Sequence, residues 1–93
     1  MYIVVRTWEN ASELADAIAQ RHDEVSDLIG TVPGFVAYYG VRSGETLTTV
    51  TVTNDEEGAQ ESTRRAGEWV KKNLAGTAIG TPNIVEGGAF ITI

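Results

Sequence analysis

The stretch Val32–Thr53, VPGFVAYYGVRSGETLTTVTVT, admits few folds, because it holds two runs of strand-forming residues with only a short polar turn between them. Phe35–Arg42 and Thr46–Thr53 are rich in aromatic and β-branched side chains, which pack well on a pleated surface. A two-residue loop at Ser43 and Gly44, with glycine free to take positive φ, sets Arg42 opposite Glu45. Phe35, Ala37, Tyr39 and Val41 then meet Val52, Val50, Thr48 and Thr46 on one face. Val36, Tyr38, Gly40, Leu47, Thr49 and Thr51 share the other. The first face is apolar and the second mixed, whereas a three-residue loop slips the pairing by one and blends the two sets.

The flanking segments supply what the hairpin must pack against. Tyr2–Trp8 reads as a strand that is apolar at nearly every position, as a central strand covered on both faces requires, with Arg6 the exception. Asn10 followed by Glu13 resembles a capping box and predicts a helix to about Ile29, with Leu14, Ile18, Val25, Leu28 and Ile29 as its apolar stripe. Arg21 falls inside that stripe and His22 on its border. Gly30 ends the helix, and Pro33 with Gly34 turns the chain into the hairpin. Asn54 and Glu57 repeat the same start, predicting a second helix to about Leu74, with Gly76 just past its end and Lys71 and Lys72 where the helix dipole favours positive charge. Its inner face, Ala59, Ser62, Thr63, Ala66, Val70 and Leu74, flanked by Trp69 and Asn73, is built of small residues that either pack closely on a sheet or leave a hollow. Ile84–Ile93 is the last strand, bent at Gly87 and Gly88.

The order β-α-β-β-α-β defines an α+β fold of ferredoxin-like type: a four-stranded antiparallel sheet, first and third strands central, with two helices on one face. The 93 residues suit one domain, 1–93, close to the smallest that sustains its own core. Because the strands carry bulky apolar groups at both odd and even positions, the helix-free face also needs cover; a second copy, hence a homodimer, is the simplest closure. A formal charge of −6 excludes a nucleic-acid partner, which demands a basic face. The absence of cysteine excludes a disulfide framework and a thiolate metal site, and fits a cytoplasmic protein. MYIVVRTWEN has no basic n-region, and its apolar run is far shorter than the ~20 residues of a membrane span, so it is expected to be a strand and no membrane association is expected.

Pro33-Gly34-Phe35, the hairpin after it, the helix start at Asn54-Asp55 and the closing IVEGGAFITI together resemble the antibiotic biosynthesis monooxygenase domain, of the dimeric α+β barrel superfamily. The resemblance spans nearly the whole chain in element order and length. It implies a dimer whose pocket lies between helices and sheet, and oxidation of a small aromatic phenol or quinol by molecular oxygen with no cofactor; the alternative is a non-catalytic homodimer that binds a small apolar molecule. Haem-degrading relatives use an Asn on the first strand, a Trp on the second helix and a His after it. Thr7 and Ser62 stand at the first two places and no histidine follows, which argues against haem.

Within that frame His22, the only histidine, or a tyrosine pair is the candidate general base, with a half-exposed helix histidine as the plain alternative for His22. Arg21 either stabilises an anionic substrate oxygen or lays its stem along the stripe and sends its head to water. Tyr38 and Tyr39 point to opposite faces, so one reaches the cleft. Trp69, Ser62 and Asn73 wall a pocket for a flat aromatic ligand, unless Trp69 is packing. Arg6 and Glu86 are expected to pair across the first and last strands, with a substrate-binding role as the alternative. No nucleophile triad or metal cluster can be assembled from these residues.

Overall fold

Residues 1–93 are described by a computed structural model of the chain. Its strands are β1 (Tyr2–Trp8), β2 (Phe35–Ser43), β3 (Thr46–Thr53) and β4 (Asn83–Gly88), joined in one antiparallel sheet in the order β2-β3-β1-β4. The first and third strands are central, and the helices α1 (Ser12–Gln20), α2 (His22–Gly30) and α3 (Glu56–Asn73) pack on one face. This is the ferredoxin-like α+β arrangement that the element order predicts.

The hairpin departs from expectation in position, not in kind. Ser43 pairs with Thr46, so the two loop residues are Gly44 and Glu45, with Gly44 at φ 61°. Arg42 therefore faces Leu47 rather than Glu45. The slip is two residues in register, which moves partners but leaves each side chain on its predicted face. Phe35 is the exception. An irregularity between Phe35 and Ala37 inserts a residue into β2, and Phe35 packs with Tyr38 against the helix-side core instead of sharing the outer face with Tyr39.

The first predicted helix is two. Arg21, at φ −114° and ψ 35°, ends α1 and begins α2, its N–H donating to the Ala17 carbonyl at 3.1 Å and its own carbonyl accepting from Val25 at 3.0 Å. The stripe explains the break: Gln20, Arg21, His22 and Asp23 are all exposed, so no apolar side chain between Ile18 and Val25 holds the middle of the segment to the sheet. Asn10 makes no cap; it sits at φ 52°, and Ala11 N–H is fixed by the Glu45 carbonyl of the hairpin loop at 2.8 Å. In α3 the cap falls one residue later than Asn54: Asp55 Oδ1 accepts from the Gly58 N–H at 2.9 Å, and Leu74 is the C-cap. A Cβ on Gly58 would lie 2.8 Å from the Pro33 carbonyl oxygen, so only glycine lets this helix start come so near the turn before β2.

The core lies between helices and sheet, around Leu14, Val25, Ile29, Leu47 and Trp69. Val4, Arg6, Thr49, Thr51 and Thr53 face it from the central strands and are buried. On the opposite face Tyr39, Val41 and Val85 are more than half exposed. β4 ends at Gly88, short of the predicted Ile93, and beyond it Phe90, Ile91 and Ile93 lie exposed. No helix is long and apolar enough to cross a membrane.

Candidate functional site: a cavity between helices and sheet

The small residues of α3 leave a hollow. Ser62, Ala66 and Gly67 stand over the sheet where larger side chains would have filled the space, and the resulting cavity measures about 400 Å³. Its floor is β1, β2 and β3, through Arg6, Trp8, Tyr38, Thr49 and Thr51. Leu14 and Ile18 of α1 and Leu28 of α2 form one wall, Trp69 and Val70 of α3 another, and the loop Ile79–Pro82 closes one side. The size suits a small-molecule ligand, and the composition, mostly apolar with a few converging polar groups, is that of a binding site.

The polar groups cluster on one side. Arg6 is only 6% exposed, and no carboxylate pairs with it. Its Nη1 donates to Thr51 Oγ1 at 3.4 Å and its Nη2 to Thr63 Oγ1. Thr63 in turn donates to the Ala59 carbonyl at 3.0 Å, and Ser62 to the same carbonyl at 2.7 Å, so these hydroxyls are held in place by α3. The expected Arg6–Glu86 pair does not form. In the ladder Val4, not Arg6, is opposite Glu86, whose carboxylate accepts from Tyr2 Oη at 2.9 Å and, with Glu56, pushes the Tyr2 pKa up to about 12. Burial lowers the Arg6 pKa, with Tyr38 and Glu86 acting the other way, yet a guanidinium stays charged in proteins. Burial is also the main reason the Tyr38 pKa is raised, against smaller opposite effects of Thr49 and Arg6; this phenol is neutral near pH 7.

Of the residues singled out from sequence, Tyr38, Ser62 and Trp69 line the cavity. Trp69 presents its ring to the core and donates Nε1–H to Glu24 Oε1 at 3.1 Å. Asn73 lies outside the lining, donating to the Trp69 carbonyl at 2.9 Å and accepting from Arg21, so Arg21 and Asn73 tie the α1–α2 break to the end of α3. Tyr39 is on the far face of the sheet, 59% exposed. The His22 side chain is 82% exposed, beside Asp23 at 3.2 Å, and contributes nothing to the cavity wall. His22 follows directly on the break at Arg21, as the first residue of α2. Trp8, Thr49 and Thr51 were missed as lining residues, whereas Arg6, for which substrate binding was the alternative to a pair with Glu86, does line the cavity. Strand alternation does carry the signal, since Arg6 shares its face with buried Val4. No group of three or more histidine, cysteine or acidic side chains is arranged to hold a metal.

No protein-family model matches the chain, and no curated protein matches it in sequence. Solved structures match it in fold. A protein of unknown function from Nitrosomonas europaea superposes with a TM-score of 0.74 at 19% identity, over 99% of this chain and 91% of that one. The cofactor-independent oxygenase SnoaB from Streptomyces nogalater, in a point-mutant form, gives 0.70 at 14% identity, over 99% and 95%. A monooxygenase from the gene ActVA-Orf6 of Streptomyces coelicolor, in complex with Nanaomycin D, gives 0.71 at 17%, over 99% and 89%. The likeness is one of architecture: the chain shares its ferredoxin-like fold with these structures. At such identities it is a statement about fold.

Proposed function

We propose that the chain oxidises a small, flat phenol or quinol with molecular oxygen and no cofactor. The observation that carries this reading is the aromatic-walled cavity of about 400 Å³ between helices and sheet, in a fold shared with cofactor-independent oxygenases. Trp8, Tyr38 and Trp69 offer ring faces and edges to a planar ligand, and the Tyr38 hydroxyl can donate a hydrogen bond to a ring oxygen. A substrate of the anthrone type, a phenol with an activated ring methylene, ionises and gives an electron to oxygen. The radical pair joins as a C–O bond and the peroxide loses water, so substrate and O₂ become quinone and H₂O.

His22 and Arg21 have no part in this scheme, since both are exposed outside the cavity. Proton loss is assigned to the substrate itself, with water at the cavity mouth as the acceptor. Oxygen uptake with a panel of anthrone-like substrates tests the reading. Turnover is expected above the protein-free rate, lowered at least about tenfold in Tyr38→Phe by loss of one directed hydrogen bond, and unchanged in His22→Ala. Uptake equal to the protein-free rate removes the oxygenase.

One observation favours a second reading, binding without turnover: Tyr38 and Arg6 are the only titratable side chains lining the cavity, and neither is a base near neutral pH. Saturable binding of the same compounds with no oxygen uptake selects it.

A further inference from the structure

We propose that the cavity takes an aromatic acid, a flat ring system carrying one carboxylate, and that the carboxylate lies on the Arg6 guanidinium. The inference rests on the cavity being a ligand site and deepens that reading by naming the charge of its occupant.

A buried arginine normally faces a carboxylate, because an unpaired charge in an apolar interior is expensive. Arg6 is 6% exposed with no acidic partner. A guanidinium has five N–H donors; two donate to the neutral hydroxyls of Thr51 and Thr63. No buried side-chain nitrogen or oxygen lacks a partner, so Arg6 Nε, which makes no hydrogen bond, keeps some accessible surface. Arg6 lines the cavity, and an anion there would supply the counter-charge that the protein does not.

The chemistry of that anion follows from the donor set. One positive charge balances one negative charge, and the planar fork of a guanidinium matches the two oxygens of a carboxylate. Arg6 is the only cationic side chain lining the cavity, which disfavours a phosphate dianion. The rest of the wall, from Trp8 and Leu14 to Trp69 and Val70, asks for an apolar body. The chain carries a net charge of −6, so its long-range field repels anions and any preference for one must arise by contact.

Calorimetric titration at neutral pH with 2-naphthoate and with its neutral counterpart 2-naphthamide separates the charge from the ring. Wild type is expected to bind the naphthoate about tenfold or more tightly than the amide, the scale of a charge-assisted bond. In Arg6→Met that ratio falls to about one while the amide still binds; Arg6→Lys keeps part of the preference. Equal binding of the two by wild type, tighter binding of the amide, or a preference that survives Arg6→Met overturns the carboxylate site and leaves the aromatic pocket intact. Binding of neither compound overturns the pocket reading with it. Should circular dichroism show Arg6→Met unfolded, the wild-type ratio and the Arg6→Lys protein decide. A chain that fails to consume oxygen but binds naphthoate in this way retains the proposal and loses only the oxygenase.

Discussion

Single side chains in this molecule are set by what faces them rather than by their type. Gly58 is the sharpest case. Its missing Cβ leaves room for the Pro33 carbonyl, and Gly58→Ala forces a 2.8 Å contact with backbone that must shift. A loss of about 1–3 kcal/mol is expected in chemical denaturation, typical for overpacking a tight site; an unchanged midpoint contradicts the close approach. On α3, Glu61 accepts from Arg64 at 2.7 Å and from Arg65 at 2.8 Å, and these bonds hold its carboxyl down at about 2 against an ordinary 4.5. A depressed carboxyl stabilises the fold above its unfolded value and ceases to do so as it is protonated. The stability advantage of wild type over Glu61→Gln should therefore be present above pH 4.5 and fade between pH 4.5 and about 2, as thermal melts across that range will show. Arg6 shows where residue-level reading from sequence stops. A lone charge in an apolar strand is legible, and so is the face it occupies, but whether a counter-charge waits there depends on the ladder, which sets Ile84 and not Glu86 opposite it.

At the scale of elements, the strands and their order were legible because alternation and turn chemistry are local. Tyr2–Trp8 and Thr46–Thr53 have the predicted bounds. What was not legible depended on contacts from elsewhere in the chain. The Asn10 cap is displaced by the backbone bond from Ala11 to Glu45, a hairpin residue distant in sequence. The break at Arg21 was visible only as a gap in the apolar stripe; His22 beside it is exposed, which leaves Tyr38 and Arg6 as the titratable side chains lining the cavity. The hollow beneath α3 illustrates the same limit: a run of small residues predicts either contact or void, and the height of the helix over the sheet chooses. The cap that does form is testable. Asp55→Ala removes the acceptor of the Gly58 N–H and should destabilise the protein by about 1 kcal/mol, whereas Asn54→Ala should have a smaller effect. Equal losses from both would contradict the observed helix start.

For the whole molecule, one face of the sheet is covered by helices and the other is not. Ile3, Val5, Tyr39, Val41 and Val85 present an apolar surface with nothing of this chain over it, and the segment after Gly88 carries Phe90 and Ile91 alongside. We propose that a second copy covers this face, and sedimentation should find a dimer at micromolar concentration that Tyr39→Glu with Val41→Glu weakens, since each adds a charge to an apolar contact. A wild-type monomer at that concentration removes the dimer. The two faces thereby divide the work proposed for them, the inner one holding a ligand and the outer one a partner. That division is tested most directly by nuclear Overhauser contacts between the ring protons of bound 2-naphthol and the protein. Contacts to Trp8, Tyr38 and Trp69 inside the cavity are expected; contacts confined to Tyr39, Val41 and Val85 on the opposite face, or none at saturating ligand, would overturn the division.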